Sequence, residues 1–332
     1  MKLSEMQQDR YISGLIERGS LLEARRYLLE SGHSTNDFDN LMASTVNRRL
    51  LQQYNLLPSN HLMLCQVDDQ IKDFRTQTGI RLTEFSDLEK VPELGEYKAT
   101  TFGEESVLWG VQKYGQTFGL SWEMMVNDDL GGFRSIIDKH ARAANRTERK
   151  RITRYFTGDV LAYDGNNVFH AGTHSNAATS ALTSGAVETG IIAMGSQRDA
   201  TGNLLGIRPK YLVTGPALQI TAQKIVTSEW AWSSGQALTG EPNAVKGALQ
   251  PVVLEDITST TAWFLVGDPV MWPALKLGFL RGMRNPQVFR KSSNTDQSAD
   301  QGSFENDSME YKVRHIVGDT CEDFRPLYRG NV

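Results

Sequence analysis

The spacing of apolar positions along the chain changes several times, and each change marks a different kind of element. Residues 1–56 mix Leu15, Leu22, Leu28 and Leu29 with Arg18, Arg25 and Arg26 in a helical pattern, broken by the turn-like run SGHSTNDFDN. The pattern predicts an arm with little core of its own. A second amphipathic stretch, LMASTVNRRLLQQYNLL, stops before Pro58, whose fixed φ and missing N–H end a helix. Beyond it, DDQIKDFRTQTGIRLTEF reads as extended chain. From Glu96 to Trp122 the runs EYKATTFGE and VLWGVQKYGQTFGLSW are rich in β-formers. They carry Trp109, Tyr114, Phe118 and Trp122, with Gly103, Gly110, Gly115 and Gly119 between them. These are the signals of a long hairpin. It would either lie in a core or project, with its aromatics resting on a neighbouring chain.

The next segment is the most strongly periodic. Asn127, Asp128 and Asp129 are suited to cap a helix, because their side chains accept orphan backbone N–H bonds and complement the positive helix end. Phe133, Ile137, His140, Ala144, Ile152 and Tyr155 then recur every three to four residues, and Gly158 supplies a stop. The result is one helix of about 27 residues, about 40 Å long, well beyond the usual globular length.

The second half alternates. SGAVETGIIAMGSQRD reads as helix, RPKYLVTGP as a buried strand, ALQITAQKIVTSE as a helix opened by Pro216, QPVVLEDI and TAWFLVGDP as strands, and MEYKVRHIVGD and FRPLYR as closing strands. WAWSSGQALTGEPNAVKGA, between Trp230 and Ala248, reads as a long loop, and KSSNTDQSADQGS over 291–303 as a polar flexible run. The class is α+β.

Composition narrows the function. At 332 residues, 39% hydrophobic and 22% charged, the chain folds in water and exceeds what one compact core comfortably holds. No apolar run spans a bilayer, and MKLSEMQQDR is not a secretory signal. Two distant cysteines, Cys65 and Cys321, support neither a disulfide framework nor a zinc knuckle, which fits a reducing cytoplasm. The net charge of −4 gives no global attraction to nucleic acid, yet suits a wall that merely encloses it.

Motifs for catalysis are missing. His170 and His174 in FHAGTH have i, i+4 spacing, but the glycine and flanking Asn166, Asn167 and Ser175 favour a polar loop over a metal pair. There is no GxSxG elbow, phosphate loop or GxGxxG fingerprint. The basic run Lys139, Arg142, Arg146, Arg149, Lys150, Arg151 and Arg154 fits a solvated helix face, pairing with Glu148 or a neighbour's acids, better than a nucleic-acid site, since no recognised binding module accompanies it. No catalytic, cofactor or metal residue is expected.

The order of phrases carries a resemblance. IKDFR at Ile71–Arg75, LGEYKATTFGEE, KYGQTFGLSWEMMVNDDLGGF, ARAANRTERK, NVFHAGTHSN, LLGIRPKYLVTGP, TGEPNAVKG with LQPVVLEDI, TAWFLVGDP and EYKVRHIVGDTCEDFRPLYRG occur collinearly over Ile71–Gly330. Together they resemble the major head subunit of Mu-type tailed phages and prophages, within the Hong Kong 97 capsid fold. The resemblance implies an N-terminal arm (1–70), peripheral-domain entry with an extended hairpin loop (71–126, hairpin about 95–124), a spine helix of the peripheral domain (127–164), an axial domain (165–285) and return strands (286–332). It also implies a structural, non-enzymatic subunit. Hexamers and pentamers of it would close an icosahedral head around double-stranded DNA, without sequence specificity. Expected partners are identical subunits, with portal, scaffold, maturation protease and decoration proteins, and no membrane. Assembly would occur in the host cytoplasm and the product would be the virion capsid. Relatives can be fused behind, or cleaved by, a maturation protease; a protease segment ahead of Met1 is not expected, and cleavage within residues 1–60 stays open. Trp109, Tyr114, Phe118, Trp122, Trp230 and Trp232 are the candidate inter-subunit contacts, and Arg142, Arg146, Arg149, Lys150 and Arg154 the candidate basic contact face. An encapsulin-type compartment sharing the fold is the alternative; a hydrolase using His170 or His174, or a DNA-binding protein using the basic helix, would be recognised by its activity.

Overall fold

The computed structural model describes residues 35–82, 104–121, 130–199, 202–233, 236–291 and 308–330, with the single positions 11, 14, 90 and 91. The helices in chain order are α1 (Thr35–Leu56), α2 (Leu130–Thr157), α3 (Ser184–Gly195) and α4 (Gln219–Thr227). The first strands are β1 (Gln66–Ile71), β2 (Gln77–Leu82), β3 (Glu104–Trp109) and β4 (Gln112–Ser121). They are followed by β5 (Pro209–Thr214), β6 (Trp230–Ser233), β7 (Gln236–Pro242), β8 (Gln250–Val253) and β9 (Trp263–Gly267). The last are β10 (Leu275–Leu280), β11 (Gln287–Arg290), β12 (Ser308–Cys321) and β13 (Leu327–Gly330). Two compact units share this chain, one of Met1–Pro58, Gln112–Thr147 and Gly282–Val317, the other of Ser59–Val111, Glu148–Arg281 and Gly318–Val332. Both α2 and β12 give residues to each unit.

In the first unit β12 is flanked by two antiparallel partners: β4, in a register that sets Tyr311 opposite Phe118 and Val313 opposite Gln116, and β11, which sets Val313 opposite Val288. Helix α1 packs on β11. Val46 and Leu50, one helical turn apart, are buried, as are Ile137, Ala141 and Ala144 of α2. The Asn47 side-chain amide meets the backbone of Val288 twice, donating to its carbonyl at 3.1 Å and accepting from its N–H at 2.7 Å. Arg49 and Asp138 form a two-pronged ion pair between α1 and α2, at 3.1 and 3.0 Å. The segment read as an arm therefore has a buried face from Thr45 onward, and the helix begins inside the run read as a turn. Its first residue is Thr35.

In the second unit a four-stranded sheet runs β13-β9-β5-β8, with β5 and β8 parallel and the other neighbours antiparallel. Strand β9 is buried at every position, as its continuous apolar run WFLV requires of a central strand covered on both faces. Val187 and Met194 of α3, and Ala222, Ile225 and Val226 of α4, pack in one cluster with Leu212, Trp263, Leu265 and Tyr328. The Thr183 hydroxyl accepts from the Ala186 N–H and caps α3. Strand β1 lies parallel to β10, and β2 antiparallel to β3.

Two expectations are corrected here. Strands β3 and β4 lie inside the expected 95–124 hairpin, but do not pair with each other: β3 pairs with β2 and β4 with β12. Only Gly110 and Val111 separate the two strands, and β4 finds a ten-residue antiparallel partner in β12, far along the chain. Residues 95–103 and 122–124 of that hairpin lie outside the described residues. The run read as a loop between Trp230 and Ala248 contains the antiparallel pair β6 and β7, in which Ser233 opposes Gln236. The Ser-Gly between them is a two-residue turn signal embedded in a Gly-rich stretch that reads as loop overall. The run 291–303 lies outside the described residues from 292 onward.

Candidate functional site

The aromatic contact candidates fall into different environments. Trp109 is only 6% exposed. Its ring lies where a side chain on Gly278 would have to go, with the Lys276 ammonium 5.3 Å from the ring centroid. Most of its area is buried inside the second unit. Phe118 is half-buried in the first unit, stacked on His140 at 5.0 Å and on Tyr311 at 5.2 Å, and so fixes β4 to α2 and β12. Tyr114 is half-buried beside it on β4, its hydroxyl donating to Gln112. Trp232 is half-buried, with its backbone N–H donated to the Ser184 hydroxyl and the Lys224 ammonium 4.7 Å from its ring centroid. Trp230, by contrast, is exposed. Trp122 lies outside the described residues.

The second unit also exposes apolar side chains that the sequence reading did not single out: Ile192 on α3, Ile220 on α4, and the adjacent pair Val270 and Met271, at 86% and 72%, after β9. Single exposed apolar residues are ordinary, whereas apolar side chains exposed side by side, as Val270 and Met271 are, mark a candidate protein contact. The only sequence signal for Val270–Met271 is two bulky apolar residues inside the turn-forming run GDPVMWP.

The basic run splits by environment. Arg149 is held by Asp256 and Glu255, each contact 2.5 Å. Arg151 and Arg154 both reach Asp319, whose side chain is fully buried. The Arg154 contact, at 2.6 Å, is an ion pair outside hydrogen-bond alignment. Burial pushes the neighbouring Tyr155 phenol up, and the Asp319 charge adds to the shift, so the phenol stays protonated and accepts from Arg154 at 3.1 Å. Arg149 and Arg154 thus make their ion pairs within the second unit, while Arg154 keeps part of its side chain in water. Glu148, expected to balance the face, is instead fully buried with its carboxylate 3.2 Å from His61 Nε2. Arg142, Arg146 and Lys150 are exposed.

His170 is exposed and His174 buried in a turn-rich segment. His174 stacks on Phe324 at 3.6 Å, and its ring nitrogens contact the Val168 carbonyl and, at 2.8 Å, Asp164. Partial burial alone would raise the Asp164 carboxyl, but hydrogen bonds from Asn166 and His174 outweigh it and hold the group at about 2. The arrangement locks a loop against Phe324. Among the described residues no three His, Cys, Asp or Glu side chains converge on a metal-sized site, and no helix is long and apolar enough to cross a membrane.

Both cysteines are free and buried. Burial, reinforced by the charges of Glu148 and Asp319, pushes the Cys65 thiol up to about 12, and burial with Asp323 pushes Cys321 up as well. Thiolate is the reactive species. Titration of the folded protein with a thiol-specific disulfide reagent at mildly alkaline pH is therefore expected to show negligible release over an hour, with both thiols reacting in denaturant. Rapid stoichiometric reaction of the native chain would contradict these buried positions.

Comparison with known proteins places this architecture. Residues 104–330 match the family model described as phage capsid protein. Among solved structures, a chain from Mycobacterium phage Adephagia is 11% identical with a TM-score of 0.54, and the match covers 83% of this chain and 91% of that one. The capsid of an empty GTA particle is 14% identical at 0.50 (83% and 90% covered), and the capsid of Myoviridae phage XM1 12% identical at 0.50 (80% and 89%). At such identities the likeness is one of fold. No curated protein matches the sequence. The family match takes in well over half of the chain, and the protein belongs to the phage capsid protein family.

Proposed function

We propose that copies of this chain form hexamers and pentamers that close an icosahedral head around double-stranded DNA, as the major head subunit of a Mu-type phage or prophage. The chain is a structural capsid protein, and the virion shell is where it acts. The observation that carries the proposal is the family match over 104–330, joined to the exposed apolar side chains Ile220, Trp230, Val270 and Met271 on the unit that contains most of that match. On this reading residues 165–285 form the axial domain, and Trp230 with the Val270–Met271 pair meets neighbouring copies. Many modest, repeated contacts of this kind sum to a stable closed object. Assembly takes place in the bacterial cytoplasm with portal, scaffold, maturation protease and decoration proteins as further partners. The Mu-type assignment rests on the collinear phrases from Ile71 to Gly330. The encapsulin alternative is not favoured, because the family model that matches residues 104–330 is one of phage capsid proteins.

Expression of the chain and electron microscopy of the purified product is expected to show closed shells or capsomer rings. Replacing Val270 and Met271 with Ser should leave the thermal unfolding of the subunit nearly unchanged while reducing the yield of assembled particles at least tenfold. A chain that stays monomeric across salt, pH and crowding conditions would refute the reading.

A further inference from the structure

The outer face of α2 has an unusual composition. Between Ser135 and Thr147, the part of the helix in the first unit whose side chains are described, the exposed positions are Lys139, Arg142 and Arg146 and no others. Their i, i+3, i+7 spacing puts all three in one stripe, spanning about 10 Å along the axis. Among the described residues none of the three has a hydrogen bond or ion pair. The nearest acid in sequence, Asp138, is held by Arg49, and the acid expected to neutralise the face, Glu148, is buried. Neutralisation within the helix is thereby ruled out as the purpose of this stripe.

We infer that Lys139, Arg142 and Arg146 form a docking strip for the phosphate backbone of nucleic acid, read without sequence preference. The inference rests on the capsid reading for the source of the nucleic acid, and adds the surface that would touch it. Charge complementarity selects the partner. A face of three cations with no exposed apolar residue between them suits a uniform polyanion, for which affinity comes from counterions released at each phosphate contact. A protein interface would need an apolar centre, and insertion at a membrane surface would need an apolar face. The chain as a whole carries −4, so such a strip gives local adhesion on a wall that otherwise repels.

The test compares the full-length chain, in unassembled form, with a K139Q/R142Q/R146Q variant. The probe is a fluorescently labelled duplex of random sequence, followed by anisotropy through a salt titration, and the same preparations are imaged for shells. Loss of three phosphate contacts is expected to make the slope of log affinity against log salt shallower by about 2 to 3, and to weaken binding on the order of a hundredfold at about 0.15 M salt. A K139R/R142K/R146K variant should keep the wild-type slope. Neutralising three exposed cations elsewhere, Lys72, Arg208 and Arg281, should change it by less than about 1. An unchanged slope in the first variant, or an equal loss in the Lys72/Arg208/Arg281 control, overturns the strip. So does a first variant that folds and no longer forms shells where the wild type does, because the stripe would then be a contact between copies. Absence of shells from the wild type would count against the capsid reading, and leaves the slope comparison to decide the strip by itself.

Discussion

Replacing both Arg151 and Arg154 with Met is expected to destabilise the second unit by about 3–5 kcal/mol, the usual cost of leaving a buried charge without its partner. Asp319 has a fully buried side chain and both arginines on it, whereas the arginines keep 24% and 41% of their side-chain surface in water. The penalty is therefore asymmetric: the arginines can be rehydrated and the carboxylate cannot. Either single replacement should cost less than half as much, because the remaining guanidinium still compensates Asp319. Adding Asp319→Leu to the double variant should restore most of the loss, since an apolar side chain at a buried position carries no desolvation debt. Urea unfolding followed by tryptophan fluorescence gives the midpoints. A double variant that unfolds with the wild-type midpoint would mean that water reaches the Asp319 carboxylate in the folded chain.

The second large effect is expected at the centre of the four-stranded sheet. Trp263→Ala should cost about 3–5 kcal/mol, as truncations of fully buried large aromatics do. Trp263 on β9 is fully buried, its indole N–H donates to the Ser180 carbonyl at 3.0 Å, and its ring lies tilted against Tyr328 at 5.9 Å. Truncation empties the core and removes the indole donor from the Ser180 carbonyl in one step. Gly330 on β13 is part of the same packing: a methyl group there would fall on the indole ring. Gly330→Ala is accordingly expected to destabilise the wild type, and to be much less harmful in the Trp263→Ala background. A double-mutant cycle by thermal unfolding reads the coupling. Additive losses would show that β13 does not abut the indole face.

The sequence revealed local structure better than partnership. Helix α2 was legible over Leu130–Thr157 because its signals are local, one apolar stripe and a terminal glycine, while the expected caps Asn127, Asp128 and Asp129 lie outside the described residues. Strands β5 and β9 were legible as apolar runs too short for helices and bounded by Gly and Pro. What the sequence could not disclose is which distant segment each strand joins. Glu104–Trp109 and Gln112–Ser121 look like the two arms of one hairpin, but nothing local says that β2 and β12 compete for them and win. The burial of Trp109 was hidden for the same reason. An indole between glycines reads equally well as exposed or buried, until Gly278, 169 positions later, is seen to leave room for it. The basic run was visible as a cluster, yet its division was not. Arg149, Arg151 and Arg154 are taken up by Asp256, Glu255 and Asp319, more than a hundred residues away. Lys139, Arg142 and Arg146 remain outside by the geometry of a single helix.

The double contact between Asn47 and Val288 bears on how a protein built to meet its own copies avoids the wrong kind of self-association. A border strand with idle main-chain donors and acceptors invites any stray extended segment to zip onto it, and a crowd of identical chains supplies such segments in abundance. By occupying both groups of Val288, the carboxamide acts as a stopper halfway along β11. Growth by endless cross-strand stacking is blocked at that margin, which favours the finite, curved lattice over the fibre.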